Sequence, residues 1–284
     1  MGSIVIVPHR LRPEAVLRAR QAIEWLVARG HEARVPAADA VHTGLDEWAQ
    51  PDHEAVEGAD LALAIGGDGT MLRAVELTCG SGVPVLGVNV GQLGYHTEVE
   101  PLGLDAALES FFAGRFEVQS RMMLNVEVHP VAGAVRSKVA MNEAVLEKTL
   151  SGHTVHLAVG INNGPFLTIA ADGLLVATPT GSTAYNLSAR GPIASPRLRA
   201  LIVTPVSPHT LFDRSLVLDD SETVRLEVLD GRPAALVVDG RSLGHLVPGD
   251  VVLCRAGDHD ARFVTFGERD FHQILKVKFA LADR

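Results

Sequence analysis

The sequence predicts two domains of different class: an α/β domain with a parallel, doubly wound sheet, then a β-rich, sandwich-like domain. Three observations carry this. Residues 1–119 alternate short apolar strand candidates with helical patterns. Residues 120–265 consist mostly of short strand-like runs broken by Gly, Pro, Asn and Asp. The length, 284 residues, lies near the upper limit for one hydrophobic core.

In the first part, "SIVIVPHR" is a strand candidate. Residues 13–29 then place Ala15, Val16, Ala19, Ala22, Ile23, Leu26 and Val27 near helical spacing, and Gly30 follows as a stop. "EARVP" reads as a second strand and 37–58 as a polar connector. "LALAI" has the continuous apolar character of a strand buried on both faces. It ends in a turn, Gly66–Gly69, with a helix to about Leu77 and a further strand, "VPVLGVNV". In doubly wound sheets the ligand crevice lies beyond the carboxyl ends of the strands, where 66–70 and 87–94 fall.

The second part contains "MLNVEVHP", "KVAMNEAVLEK", "TVHLAVGI", "PFLTIAADGLLVATP", "ALIVTPVSP", "SLVLDDSETVRLEVL", "PAALVVDG", "DVVLCRAG" and "ARFVTF". One helical piece, around 181–190, interrupts these strands. The closing segment 266–284, with its apolar "FHQILKVKF", is expected to complete the first domain.

Hydrophobic residues make up 47% and charged ones 21%, enough apolar material for globular cores. No uncharged apolar run reaches membrane-spanning length, and "MGSIVIVPHR" lacks a signal-peptide pattern, so no membrane partner is expected. Cys79 and Cys254 stand far apart without metal-ligand spacing, which fits buried thiols and a cytoplasmic location. The net charge of −9 argues against broad nucleic-acid binding. It also requires any bound phosphate to find positive charge locally or on a metal.

The motifs come next. In "GGDGT", Gly66, Gly67 and Gly69 allow backbone N–H groups to approach phosphate oxygens, and the following helix adds partial positive charge. The plainer reading is a tight turn with Asp68 or Thr70 as helix cap. Asn142 and Glu143 at a strand start can read a ribose diol or a base edge, or be a solvated strand end. In "ATPTGSTAY", Thr180, Ser182 and Thr183 supply hydroxyls around a flexible glycine with Tyr185 behind, a nucleotide-contacting turn. Asp239-Gly240 reads as a type I′ hairpin turn, and His209 as a ligand, a base or, first of these, a packed edge residue. No Walker A sequence and no G-x-G-x-x-G fingerprint is present.

Taken together these stretches resemble the NAD kinase family. The resemblance rests on "GGDGT" at 66–70, "GVNVGQLGYHTE" at 87–98, "NE" at 142–143, "DGLLVATPTGSTAYNLSARGPI" at 172–193, "SPHTL" at 207–211 and "DG" at 239–240. The first motif also occurs in lipid kinases and phosphofructokinases, whereas the 172–193 block is far more specific. The resemblance implies phosphorylation of the adenosine-ribose 2′-hydroxyl of NAD to give NADP. The donor would be ATP or polyphosphate, and Mg²⁺ or another divalent metal would be held through phosphates rather than by protein ligands. It implies Asp68 as the catalytic acid residue, acting as base, and Gly66, Gly67, Gly69 and Thr70 around the donor phosphates. Asn142, Glu143, Asp172, Thr183 and Tyr185, with Thr180 and Ser182 of the same turn, would hold NAD. It also implies a homodimer or homotetramer. Two positions depart from the family pattern: Arg190 stands where a glycine is common, and His96 where a hydrophobic residue is usual. A lipid or sugar kinase would leave 172–193 unexplained, and a non-catalytic NAD-binding regulator would not need Asp68.

Overall fold

The computed structural model describes residues 1–91, 94–229, 231–267 and 270–281. Gln92 and Leu93 of the 87–98 motif, and residues 268–269 and 282–284 of the closing segment, lie outside the described residues.

The chain begins with β1 (Ser3–Pro8), α1 (Pro13–Ala28), β2 (Glu32–Pro36), α2 (Ala37–Thr43), β3 (Ala49–Gln50), α3 (Asp52–Val56), β4 (Leu61–Gly66) and α4 (Asp68–Thr78). Next are β5 (Val85–Asn89), α5 (Leu104–Phe112) and β6 (Glu117–Arg121). Apolar runs made β1, β4 and β5 legible, and all three are buried along their whole length. α1 starts with Pro13, whose fixed φ suits the first helical turn, and buries Ala15, Ala19, Ala22, Ile23 and Leu26 against the sheet. The expected polar connector 37–58 is instead two short helices and a two-residue strand. These pieces are too short to show a period, and Gly44, left-handed at φ 64, ends the first of them.

The middle of the chain supplies β7 (Leu124–His129), β8 (Arg136–Ala140), β9 (Glu143–Lys148), β10 (Val155–Ile161), β11 (Gly164–Ala171), β12 (Gly173–Ala177) and α6 (Tyr185–Ser188). After them come β13 (Ala200–Val206), β14 (Leu216–Asp219), β15 (Val224–Val228), β16 (Ala234–Val238), β17 (Arg241–Leu246) and β18 (Val251–Ala256). The last elements are β19 (Ala261–Thr265) and α7 (Phe271–Lys278).

Two compact units result. Residues 1–120 and 261–284 form one, and 121–260 the other. β19, whose texture placed it with the β-rich half, pairs in parallel with β5 and belongs to the first unit. The sheet of that unit runs β3-β2-β1-β4-β5-β19-β6. Its order reverses at β1: α1 leads from β1 to β2 on one side, and β4 lies on the other. In α/β sheets this reversal opens a crevice at the carboxyl ends of the two strands, here at His9 and Gly66.

The second unit is a sandwich of two six-stranded antiparallel sheets, β11-β10-β15-β18-β7-β8 and β14-β13-β12-β9-β16-β17. Its core lies between them, built from Leu124, Val126, Leu157, Leu226 and Val252 on one sheet and Leu146, Leu174, Val176, Leu201 and Leu236 on the other. β7, β10 and β15 alternate buried and half-buried residues, as expected with one covered face. β12 is buried on both faces. Its outer face, with Val145, Leu175 and Ile202, is covered by Tyr185, Ala189 and Ala194. The helical piece expected at 181–190 is split into a 3-10 turn, Thr180–Thr183, and the single turn α6. Ala184 breaks it, its φ of −94 and ψ of −128 lying outside the helical region. Among the described residues no helix is long and apolar enough to cross a membrane.

Arg190 has a left-handed backbone, φ 65, which accounts for glycine being common at this position in the family it resembles. Arg190→Gly is therefore expected to stabilise the chain by about 0.5–1 kcal/mol in chemical denaturation, the left-handed strain outweighing glycine's entropy. A loss of stability would show that the exposed arginine side chain contributes more than its backbone costs.

Candidate functional site

The residues singled out from the sequence form two groups, one in each unit. The first is the β4–α4 turn. At Gly66 a side chain would collide with the Thr70 hydroxyl and come within 3.1 Å of the His9 Cβ, so this glycine serves packing. Gly67 and Gly69 differ. A Cβ at either would meet nothing within 4 Å, and neither has a positive φ. The fold does not require glycine there, and the space beside Asp68 is open to a ligand.

Neither suggested cap forms. Gly67 is the N-cap of α4 and makes no side-chain capping bond, while Asp68 and Thr70 lie inside the helix. Thr70 is buried, its N–H donating to Gly67 O at 2.9 Å. The half-buried Asp68 carboxylate accepts the backbone N–H groups of Tyr95 and His96, each at 3.0 Å, one on either oxygen. Gly94 is required by this contact, since a Cβ there would land on the carboxylate. Burial, then the Asp68 charge, raises the Tyr95 phenol above its usual pKa. His96, one of the departures, stacks edge-on against Phe263 of β19 at 6.3 Å, so the imidazole serves as a packing ring.

Sequence reasoning missed the β1–α1 loop. His9 donates its N–H to Ile65 O at 2.8 Å, beside the turn. Its Nδ1 accepts from Leu11 N at 3.2 Å. Burial and the nearby Arg12 lower its pKa, so it is neutral with its proton on Nε2. The Arg12 guanidinium holds the Val90 carbonyl, and the Val90 N–H donates to Gly66 O at 3.0 Å. An exposed cation is thus tied to the rim of the Gly66 turn. Asn89, at the end of β5 and paired in register with Gly66, is buried with its Oδ1 unpartnered. No local signal marks Arg12, which acts through a neighbouring strand, whereas Asn89 lies inside the 87–98 motif without having been singled out there.

The second group gathers at the start of β9 and the 178–194 segment. Asn142 O accepts from Thr178 N at 2.9 Å, and Gly181 packs so closely on the Asn142 backbone that a Cβ would overlap it. Asn142, Glu143 and Thr180 are buried, and Asn142 Oδ1, Glu143 Oε2 and Thr180 Oγ1 lack hydrogen-bond partners. Buried polar atoms are rarely left so, and three neighbouring ones point to a polar ligand. Burial, then the Asp239 carboxylate, pushes the Glu143 carboxyl up to about 8, against a downward pull from the Tyr185 backbone N–H. Glu143 is therefore a neutral donor at pH 7. Half-buried Tyr185 has its phenol raised by burial and by Glu147, Asp172 and Glu143. The Asp172 carboxylate is paired with Lys148 Nζ at 2.7 Å.

Thr183 Oγ1 bonds Thr180 O at 3.4 Å. Ser182 is wholly buried, and its hydroxyl both donates to Ala194 O, 3.2 Å, and accepts from Ala194 N, 3.0 Å. This serine fixes the shape of the segment from below. Asn186, also wholly buried, donates to Ser182 O and Pro192 O and accepts from Thr204. His209 is exposed beside β11, its N–H on Ala170 O.

Comparison with known proteins gives this arrangement a family. Residues 4–116 match the ATP-NAD kinase N-terminal domain and residues 141–266 the ATP-NAD kinase C-terminal domain. The NAD kinase of Heliobacterium modesticaldum is 38% identical over 282 residues, 98% of each chain. That of Syntrophotalea carbinolica is 36% identical over the whole of both chains. Among solved structures, yeast NADH kinase in complex with NADH superposes with a TM-score of 0.92 at 25% identity, over all of this chain and 89% of the other. The NAD kinase of Archaeoglobus fulgidus in complex with ATP gives 0.74 at 22% identity over 99% of each, which shows a shared fold. The chain belongs to the NAD kinase family, phosphotransferases that act on an alcohol group.

Proposed function

We propose that the chain transfers the terminal phosphoryl group of ATP to the 2′-hydroxyl of the adenosine ribose of NAD, giving NADP and ADP. The observation that carries this reading is the Gly67-Asp68-Gly69 turn, whose flanking glycines answer no need of the fold. The three unpartnered buried atoms at Asn142, Glu143 and Thr180 support a nucleotide acceptor.

In the transfer a bond forms between the 2′-oxygen and the terminal phosphorus, and the bond from that phosphorus to the bridging oxygen of ATP breaks. The hydroxyl proton passes to the Asp68 carboxylate. A carboxylate is a weak base toward an alcohol, so Asp68 orients the hydroxyl and takes its proton late, as the new bond forms. Gly66 and Thr70 set the turn, Gly67 and Gly69 leave room for phosphates, and the Arg12 guanidinium supplies positive charge at its rim. Asn142, Glu143, Asp172, Thr180, Thr183 and Tyr185 hold NAD, with Ser182 supporting from beneath.

Among the described residues no group of three or more His, Cys, Asp or Glu side chains could cage a metal. A divalent cation such as Mg²⁺ would be carried by the donor phosphates, where it would neutralise charge. The family's own description supports ATP, with inorganic polyphosphate the other donor to be tried. Two free thiols, Cys79 and the buried Cys254, favour the cytoplasm. The active form is a homodimer or homotetramer, which a monomer mass in light scattering would overturn.

Purified protein given ATP or polyphosphate, NAD or NADH, and Mg²⁺ is expected to form NADP or NADPH, read by a coupled dehydrogenase. No product from any combination would overturn the function. Asp68→Asn is expected to lower kcat by about 100-fold or more with KM for NAD little changed. Near-normal turnover would remove Asp68 from the chemistry.

A further prediction concerns Glu143. Its folded pKa, about 8, lies above the ordinary 4.5. Below the lower value both states hold the proton. Between the two, the unfolded chain releases it while the folded chain keeps it, so stability falls as pH rises and levels off above the upper value. Glu143→Gln should remove this fall, gaining stability over the parent progressively from about pH 5 to pH 8 in denaturant titrations. Parallel pH profiles for the two proteins would contradict the neutral carboxyl.

A further inference from the structure

Asp239 has no part in the function just described, yet it is heavily bonded. It occupies the two-residue turn between β16 and β17 with Gly240, both with positive φ, 46 and 74. Such a turn needs left-handed residues, and Asn or Gly would serve as well as Asp. What the turn does not need is a carboxylate, and this one faces away from its own hairpin. Asp239 Oδ2 accepts the Met141 N–H at 2.7 Å, and Oδ1 accepts those of Asn142 at 2.8 Å and Glu143 at 3.1 Å. The Asp239 N–H in turn donates to Glu143 O at 3.0 Å. Four hydrogen bonds therefore join the turn to three consecutive residues almost a hundred positions away.

Those residues lie where the chain crosses from one sheet of the sandwich to the other, from β8 to β9. At a crossing, backbone N–H groups lose their ladder partners, and a charged acceptor is a strong replacement. On the other side of the same stretch, Thr178 N donates to Asn142 O and the Thr178 hydroxyl to Met141 O. The backbone of 141–143 is fixed on both sides, while the side chains of Asn142 and Glu143 keep unpartnered oxygens.

We propose that Asp239 is a positioning residue for the acceptor nucleotide: its carboxylate grips the backbone of residues 141–143 and so aims Asn142 and Glu143 at NAD. The proposal rests on the reading that these two side chains hold NAD. It extends to the choice of residue in the turn, because Asn or Gly would preserve the hairpin and lose the grip.

Asp239→Asn and Asp239→Gly separate these roles. Both keep a left-handed turn. The amide leaves one acceptor oxygen and sets an NH₂ against a backbone N–H, and glycine leaves none. In the full-length enzyme, KM for NAD should rise about tenfold or more, further for Gly than for Asn, with KM for ATP and saturated kcat little changed. In a double-mutant cycle, Asp239→Asn with Asn142→Ala should be less than additive in KM for NAD, since each removes the same contact. Additive effects, equal rises in both KM values, or failure of both Asp239 variants to fold would each overturn the positioning role. Asn142→Ala and Glu143→Ala alone serve as the reference. If they raise KM for NAD and the Asp239 variants do not, the proposal falls and the NAD reading stands. If neither pair moves it, the NAD reading itself falls.

Discussion

Where a chain leaves a sheet its backbone N–H groups lose their ladder partners, and in this molecule carboxylates replace the missing strand. Asp68 takes the N–H groups of Tyr95 and His96 beyond β5. Asp239 takes three at the crossing from β8 to β9. Asp250 accepts from Val131 and Val247, Asp60 from Ser3, and Glu98 from Phe266. An unpaired buried N–H costs on the order of 1–3 kcal/mol, so these contacts are conditions for the chain paths on which both groups of candidate residues sit. They also bear on the excess of acids over bases in the sequence. Part of that excess faces inward, toward backbone dipoles rather than toward any partner.

This pattern explains what could be read from the sequence. The strands with continuous or alternating apolar character were legible because burial on one or both faces leaves a periodic trace. So was the turn after β4, because glycines flanking a carboxylate between an apolar strand and a helical pattern stand out. The partners of Asp68 and Asp239 were not legible. A carboxylate bonding a backbone N–H many residues away leaves no mark on the sequence between them, since every residue but proline offers the same donor. Asp239 read as a turn residue for this reason, which its backbone supports and its side chain exceeds. Arg12 was missed on a similar ground, since any backbone carbonyl could accept its guanidinium, whereas Asn89 lay within the 87–98 motif and was not singled out there. The hydroxyl-rich turn read as uniformly ligand-facing, but Ser182 points inward to Ala194, and only the packing of 180–194 on the outer face of β12 separates the inward hydroxyl from the rest.

The charge balance follows from these placements. A chain of net charge −9 that handles phosphates has to limit negative potential where they approach. In the first unit the two Asp68 oxygens are each bonded to a backbone N–H, and Arg12 stands at the rim of the turn. In the second, Asp172 is paired with Lys148, and Glu143 is held neutral by burial and by Asp239. Asp239 therefore acts on Glu143 in two ways. It fixes the backbone that carries the side chain, and its charge keeps the neighbouring carboxyl protonated.

Asp68 carries the sharpest constraint, since the proposed chemistry asks one carboxylate both to hold a loop and to receive a proton. An ionised carboxylate has about four acceptor positions, and the Tyr95 and His96 N–H groups occupy two. The remaining positions can meet a hydroxyl without either bond breaking. The two bonds also fix both oxygens, so the group that orients the hydroxyl cannot rotate away from it. Once a proton arrives, the carboxyl is neutral and a poorer acceptor, and its hold on residues 95–96 weakens. Gly94 makes the arrangement sterically possible, because any side chain there would displace the carboxylate. The turn and the 94–96 segment are thus one steric unit, in which Gly94 makes room for the carboxylate that holds the two N–H groups beside it.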